Sequence, residues 1–569
     1  MRPMSQPEQN DERVPQHPLA QAERYEVPAE IMRASGMKKL DWLLNLPAVD
    51  SFVQSLAPQE LYRWMRDIGK EDAYPLLEYA EPEQLQALVD IDAWTRHELS
   101  IPRWLEWLDL AVAVDVDTGA KFLASQDDAT LQWLFTGDVQ VLPADADLDA
   151  IPDELAFFPT PDGMYVVTVP REHPLEDSMQ QVLMLLWSAD MDRARLIFQQ
   201  AQFELHEGVG DEAEQFRAAR LQDLGFEPAD EALGVFEVIE LTKLKDALRT
   251  DTVDASSVPA SVEHVAFALS LSDVNAPELL TGAVRSLSAA DHTEFSRGFA
   301  YLANKVFMAE TGDLSRLDDL PEYARYAAAL ANLGLSWLSA EDPDAAARIV
   351  TQVAPEVLFK AGWTQVFAMA KKARRVCKKA GVELGFTLFG SPTDEALFAA
   401  HLMRPLYAEV LDDATSLGHR PIATLADISK IEAHVAHASE LLEAFETRFG
   451  VTVDALQHAE SLELSKDARR RIRLTTLIRT GLANLLVSDA FVFTPLDRAG
   501  IAAFASAALS REGHLTPLMR DTLAPITTAG GALARLVERA TEELVESMGS
   551  TDREIDLRYA GELFLIRGS

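Results

Sequence analysis

The sequence predicts a mostly α protein: a stacked, solenoid-like array of short helices at the N-terminus, a small β-hairpin insert, and a large C-terminal helical domain. Three observations carry this. Apolar residues recur three and four apart over most of the 569 positions. Between Leu56 and Ile91 an apolar residue followed by a Pro, Gly or Asp turn returns every 11 or 12 residues. The helical period fails once, over Asp138–Pro170, where β-branched and aromatic residues flank Pro161-Asp162-Gly163.

Residues 1–28 carry Pro3, Pro7, Pro15, Pro18 and Pro28 among Gln, Glu and Asp. That composition cannot repay the entropy of ordering, so a disordered tail is expected. Residues 29–136 form the array. Leu56-Ala-Pro-Gln-Glu-Leu61 is echoed by Tyr79-Ala-Glu-Pro-Glu-Gln-Leu85, and Ile68-Gly-Lys-Glu-Asp-Ala73 lies between them. Each unit is about two helical turns, too short to bury its own apolar face, so neighbours must stack. Residues 137–250 hold the hairpin, with Pro161-Asp162-Gly163 as its turn, followed by helices. In one of these, Arg217, Arg220 and Asp223 share one face, Gly225 is placed to cap the end, and Asp230-Glu-Ala begins the next helix. A linker is expected at 251–260.

Residues 261–548 read as a helical domain, with helices over Leu279–Ser288, Asp291–Glu310, Pro321–Ser339, Glu356–Lys379, Asp394–Leu411, Ile431–Phe449 and Asp467–Leu486. The tail 549–569 contains a β-leaning run, Leu557–Arg567, that is expected to pair with Phe491–Phe493.

Composition narrows the function. With 51 basic and 91 acidic side chains the formal charge is −40, which repels nucleic-acid phosphate and anionic lipid and favours a partner with a basic surface. Residues 1–250 hold 20 basic and 48 acidic groups, the remainder 31 and 43, so the acid lies forward. Apolar residues at 48% and a mean hydropathy of −0.04 supply large cores. Cys377 is the only cysteine, which excludes an internal disulfide and any cysteine cluster for zinc or iron–sulfur, and fits a reducing, cytoplasmic setting. The opening Met1–Arg13 has no apolar core, and no apolar run reaches the ~20 residues that spanning requires. Neither a signal peptide nor membrane insertion is expected.

The 11-to-12 spacing of an apolar residue, Ala-Pro, an acid and Leu resembles the short-helix superhelix of magnesium-transporter cytosolic domains and flagellar motor-switch proteins, over about 80 residues. That resemblance implies a docking or regulatory surface. The segment Asp211–Leu233, with the proline-turn repeats and the hairpin upstream, resembles an uncharacterised bacterial family of unknown function (number six-one-seven-eight) in outline along most of the chain. It implies no activity.

No phosphate loop, dinucleotide fingerprint, nucleophile elbow or zinc-protease helix is present; Gly208-Val-Gly210 is followed by Ala213 where the dinucleotide pattern needs glycine. Asp115-Val-Asp117 imitates the aspartate loop of phosphate-transferring dehalogenase-like enzymes, but its flanks read as helices. Asp145-Ala-Asp-Leu-Asp149 alternates carboxylates as a calcium loop does, yet Ala150 and Ala156 replace the turn glycine and the bidentate acid, leaving an exposed acidic loop.

His434, His437 and Glu440 share a helix face at a spacing that can ligate a metal if another helix adds a carboxylate. The plainer reading is surface or core histidines. Lys371, Arg374 and Arg375 belong to a basic run, Lys371–Lys379, and a second run spans Lys466–Arg473. Neither interleaves aromatics, so neutralisation of the protein's own acidic N-terminal array or of a second subunit ranks ahead of a partner's acidic surface, and nucleic acid ranks last. Cys377 lies among cations that would favour thiolate, with an inert thiol as the plainer reading. Arg217 and Arg220 either bind an anion or pair with Asp211, Glu214 and Asp223 on their own helix.

The function expected is a non-enzymatic scaffold or regulatory module, without a cofactor, that presents Glu60, Glu71 and Glu83 of the array to another protein. The alternatives are a metal-dependent enzyme using His434 and His437, and a divalent-cation sensor in the acidic half.

Overall fold

A computed structural model describes residues 27–32, 34, 36–95, 97–203, 206–250, 271, 274–380, 388–390, 393–410, 417–452, 472–527, 531–548 and 563–566. The expected tail up to residue 26, the 251–260 linker, residues 466–471 of the second basic run and most of the 549–569 tail lie outside them. The fold is mostly α with small antiparallel sheets. The described residues form two compact units, one from those within Met1–Val235 and Thr293–Ala324, the other from those within Phe236–Thr250, Leu271–His292 and Arg325–Ile566.

The first unit opens on short helices, Gly36–Leu44, Val49–Ser55, Pro58–Ile68 and Pro82–Asp92. The prolines that punctuate the sequence start two of them, where a missing N–H costs nothing. Three positions into each, Glu60 and Gln84 reach back to accept from the backbone N–H of Ala57 and Glu81, at 3.3 and 2.8 Å. Gly69, at φ +107°, ends the first and leads directly into the Lys70–Ala73 turn. Gln84 also donates to the carbonyls of Val53 and Leu56 (both 2.8 Å), tying helix Pro82–Asp92 to the end of helix Val49–Ser55. Leu61, Met65, Leu85, Leu88, Trp104 and Trp107 close the core between the stacked elements.

Helices Ile101–Val114, Val116–Ser125 and Asp128–Trp133 continue the stack. Asp115 of the Asp-Val-Asp motif is the N-cap of the second, accepting from Thr118 N at 2.7 Å, which holds its carboxyl below the usual range.

The break in helical period becomes a three-stranded sheet, because Gln140–Pro143 adds to the hairpin. Tyr165–Pro170 is central, with Val141 and Phe158 both opposite Val167. Val166–Val169 are all buried, as a strand paired on both edges and covered on both faces requires. At the hairpin turn Asp162 pairs with Arg195 at 2.8 Å, which fastens the sheet to helix Met191–Ala201. Helix His206–Asp223 follows and ends at Gly225 (φ +86°), where Phe226 N donates to Leu221 O at 2.9 Å.

In the second unit, Leu320–Ser339, which starts in the first unit, crosses Pro355–Lys379 at two glycines. A Cβ on Gly334 would lie 2.0 Å from Leu358 O, and one on Gly362 would lie 2.0 Å from Leu330 O. Only glycine at both positions lets the backbones approach so closely. The helix expected over Asp394–Leu411 is shorter: it spans Thr393–His401, and Leu406–Val410 turns into a strand paired with Leu417–Pro421. Pro405 explains the change, since the residue before a proline is driven out of the helical region.

Helix Leu425–Phe449 begins six residues earlier than Ile431, because Thr424 and Asp427 form a capping box. Helices Leu474–Ser488, Arg498–Ala508, Pro517–Thr527 and Gly531–Met548 complete the unit. Phe491 and Phe493 form no strand; their rings pack on Phe449 and Phe445, and the β-bridge falls at Leu496 and Ile566. Among the described residues no helix is long and apolar enough to cross a membrane.

Candidate functional site

The densest group of buried charge lies in the first unit, around the last turn of helix Pro82–Asp92. Asp90 and Asp92 are two apart, so they project to different sides of that helix and gather separate sets of donors. Asp90 is 1% exposed. Arg220 grips it with two hydrogen bonds, Nε to Oδ2 at 2.7 Å and an NH2 bond to Oδ1 at 2.9 Å, and Gln86 donates to Oδ1 at 3.0 Å. Arg220 also reaches Asp127 at 2.8 Å. Asp127 is itself the N-cap of helix Asp128–Trp133, and its own N–H donates to Gln86 at 2.8 Å. One arginine thereby joins three helices.

Arg217, one turn before Arg220, donates from Nε to the Asp90 carbonyl at 2.8 Å and lies over the Trp94 ring at 5.1 Å. Trp94 stacks on Trp133, and Trp133 on His206. His206 Nε2 accepts from Trp133 Nε1 at 3.0 Å, so its proton sits on Nδ1, facing Thr136 Oγ1 at 2.8 Å. Burial pulls the Arg217 guanidinium down to about 10, still charged at neutral pH, and pushes the Asp90 carboxyl up against the hold of Arg220 and Arg217.

Asp92 accepts from Tyr62 OH at 2.8 Å, from Trp107 Nε1 at 3.0 Å and from Lys70 Nζ. Burial, then the neighbouring Asp92, pushes the Tyr62 phenol well above its ordinary value, so it stays protonated as the donor. Arg66 NH1 donates to the same phenol oxygen at 3.1 Å and NH2 to Asp318 at 3.0 Å. Beside them lies a cavity of about 80 Å³ lined by Tyr62, Arg63, Arg66 and Asp318, room for a few waters. All four carboxylate oxygens of Asp90 and Asp92 accept from a donor, so neither acid is placed to take a proton from a substrate. Chemically the group is a clamp.

The pairs expected within helix His206–Asp223 therefore give way to pairs with the array: Arg217 and Arg220 meet Asp90 and Asp127, Asp223 takes no part in that cluster, and Glu214 meets His97. Glu60, Glu71 and Glu83 are exposed, each in the first turn of its helix, where a negative charge complements the helix dipole.

In the second unit the structure does not assemble the histidine helix into a metal site. His434 Nδ1 lies 3.3 Å from Thr393 Oγ1, and burial followed by the neighbouring His437 holds its pKa below the usual value. Glu440 lines a surface groove with Glu443 and Arg448 instead. Among the described residues no group of three or more His, Cys, Asp or Glu is arranged to hold a metal. Two cations of the first basic run pair with helix Leu425–Phe449 rather than with the N-terminal array: Lys372 meets Glu432 at 2.7 Å and Lys379 meets Glu446 at 3.1 Å. Arg374 caps the carbonyls of His401 and Leu402, while Lys371 and Arg375 remain exposed. Cys377 is buried, and burial pushes its thiol up to about 11, so the thiol stays protonated at neutral pH, in line with the plainer reading, and the thiolate that neighbouring cations would favour does not form.

Asp394 is 6% exposed. It accepts from Phe389 N at 2.8 Å through Oδ1, while Oδ2 is buried without a hydrogen-bond partner among the described residues, and burial raises its carboxyl to about 6.

Of these groups the sequence pointed to Arg217 and Arg220 but not to Asp90, Asp92 or Asp127. The signal was present: two aspartates inside the apolar run Leu85–Ile91 and its end interrupt a face that is otherwise wholly buried.

No curated protein and no solved structure matches the chain. One family model does, a family of unknown function (DUF6178), over residues 16–565. With nearly the whole chain matched, helical array, hairpin and arginine helix included, the protein belongs to the DUF6178 family.

Proposed function

We propose that the protein is a non-enzymatic, cytoplasmic scaffold or regulatory module that docks another protein bearing a basic surface through the acidic face of its N-terminal array. One observation carries the reading: among the described residues of the array every buried charge is matched, and the surplus acid is left outside. Lys70, Arg66, Arg103, Arg217 and Arg220 turn inward to Asp92, Tyr62 and Asp90. Glu71 and Glu83 are exposed and pair with no cation among the described residues, and Glu60 accepts only from the backbone of Ala57. Stacked short helices give a rigid, extended face on which such charges keep fixed spacing. Rim charges of this kind steer and select a partner more than they add affinity.

The test is to isolate the partner from the protein's own cell extract with the full chain, purify it, and titrate it against wild type and against E60K/E71K/E83K at about 0.05 and 0.3 M salt. Affinity that falls with salt and at least about tenfold with the triple reversal supports the array as the face. A partner bound equally by the reversed protein removes the array from the interface.

A further inference from the structure

At the C-terminal end of the second unit, helices Pro517–Thr527 and Gly531–Met548 pack side by side and leave a groove of about 440 Å³ between them. Its floor is apolar, from Leu515, Leu523 and Val545 with the methyl groups of Thr527 and Thr541. One rim is a row of three exposed glutamates, Glu538, Glu542 and Glu546, at every fourth position of helix Gly531–Met548. None of the three pairs with a cation among the described residues. The same helix shows what it does with an acid it needs internally: Glu543, off that row, accepts from the buried Arg479 and from Arg539. The helix also exposes Arg535 and Arg539, of which Arg539 is paired with Glu543, so the three glutamates leave the rim with a net negative charge.

We infer that this groove docks an amphipathic helix with a basic flank, supplied by a partner protein. Three features of the groove determine the chemistry of the occupant. The eight steps from Glu538 to Glu546 rise about 12 Å, a little over two turns, so a facing helix would set its own residues at i, i+4 and i+7 or i+8 along the row. The apolar floor takes the Leu or Ile stripe of such a helix, and leaving it in water would cost more than an ordinary surface. The unpaired glutamates select Lys or Arg on the adjoining flank and reject an acidic helix by like-charge repulsion. This deepens the scaffold reading and rests on it, but places the contact in the second unit, apart from Glu60, Glu71 and Glu83.

The test uses the full chain and a fluorescent 18-residue model peptide of Leu and Lys with Leu at helical spacing, followed by anisotropy. Two control peptides accompany it, one with the same composition scrambled to destroy the stripe, one with Glu replacing Lys. The stripe peptide is expected to bind, the scrambled peptide about tenfold more weakly, and the Glu peptide not measurably. E538K/E542K/E546K is expected to lower stripe-peptide affinity by tenfold or more, and E538Q/E542Q/E546Q, which keeps shape and cannot introduce repulsion, by a smaller factor, about threefold to tenfold. E60K/E71K/E83K should leave it unchanged.

Equal binding of the stripe and scrambled peptides, absence of binding, or insensitivity to both groove variants would overturn the groove. If the peptide responds to the array reversal alone, the groove falls while the array reading stands. If the groove variants abolish binding and the natural partner is unaffected by the array reversal, the groove stands and the array reading falls.

Discussion

Asp90→Ala is the sharpest probe of the charged clamp. The substitution removes both Arg220 bonds and the Gln86 bond at a site that is 1% exposed. Two guanidinia lose their shared counter-charge, yet neither is stripped bare. Arg217 keeps the residue-90 carbonyl and the Trp94 face, and Arg220 keeps Asp127. Removing one partner of a buried pair costs about 3 to 5 kcal/mol, and the retained contacts place this case at the low end, about 3 kcal/mol. Asp127→Ala also loses an Arg220 contact and a helix cap, but its side chain is 19% exposed, so about 1 to 2 kcal/mol is expected. Urea unfolding followed by tryptophan fluorescence reads the right part of the chain, because seven of the nine tryptophans belong to the first unit. A cost below about 1 kcal/mol for Asp90→Ala, or one no larger than for Asp127→Ala, would refute the clamp.

Three further expectations concern other elements. Asp394 has a folded-state pKa of about 6, above the ordinary ~3.9, so the folded protein holds the extra proton between those values and stability falls as pH rises through that window. Asp394→Asn should abolish that slope and, at neutral pH, exceed wild type by at most about 3 kcal/mol; parallel stability curves from pH 4 to about 7 would show the burial penalty to be absent. Asp162 runs the opposite way: burial opposes ionisation, but Arg195 and the Met164 N–H hold the carboxyl at about 2, so its contribution is full above ~3.9 and is lost as pH falls toward 2. Asp162→Asn should flatten the acid limb of thermal stability, and an unchanged limb would remove the turn carboxylate as an anchor. Gly362→Ala brings a methyl to 2.0 Å from Leu330 O, so the crossing must open; a melting curve should report a net loss of about 2 kcal/mol despite alanine's better helix propensity, and an unchanged melt would mean the crossing yields freely.

Much of the architecture was legible because its signals are local. Pro58 and Pro82 announce helix starts, Gly225 announces a stop, and the Pro161-Asp162-Gly163 turn sits between two β-branched runs. The errors arose where a distant or competing term decided. Pro405 outweighed an apolar period that would have carried the Asp394 helix onward, and the strand Gln140–Pro143 has too few residues to declare itself without its partner. Phe491 and Phe493 read as β-prone, but aromatic packing against Phe445 and Phe449 claims them.

The clamp was half legible for the same reason. Arg217 and Arg220 stand out by spacing, whereas their true partners lie 127 and 130 residues away and could not be chosen over the acids on the same helix. Local pairing was the cheaper inference, and tertiary burial overruled it. For His434, His437 and Glu440 the spacing was genuine, but a metal site needs a carboxylate from another element, and none of the described residues supplies it. Cys377 shows the converse: sequence neighbours set its formal charge environment, and burial reversed their effect.

The proposed docking face rests on internal charge being matched and the array's outer acids being left to meet a basic partner. Hydrogen–deuterium exchange of the full chain with its purified partner bound tests this most directly. Within the first unit, protection confined to the exposed first turns around Glu60, Glu71 and Glu83, with the Asp90–Arg217–Arg220 clamp unchanged, is the expected footprint. Protection centred on the His434 helix, with none on the array, would contradict it.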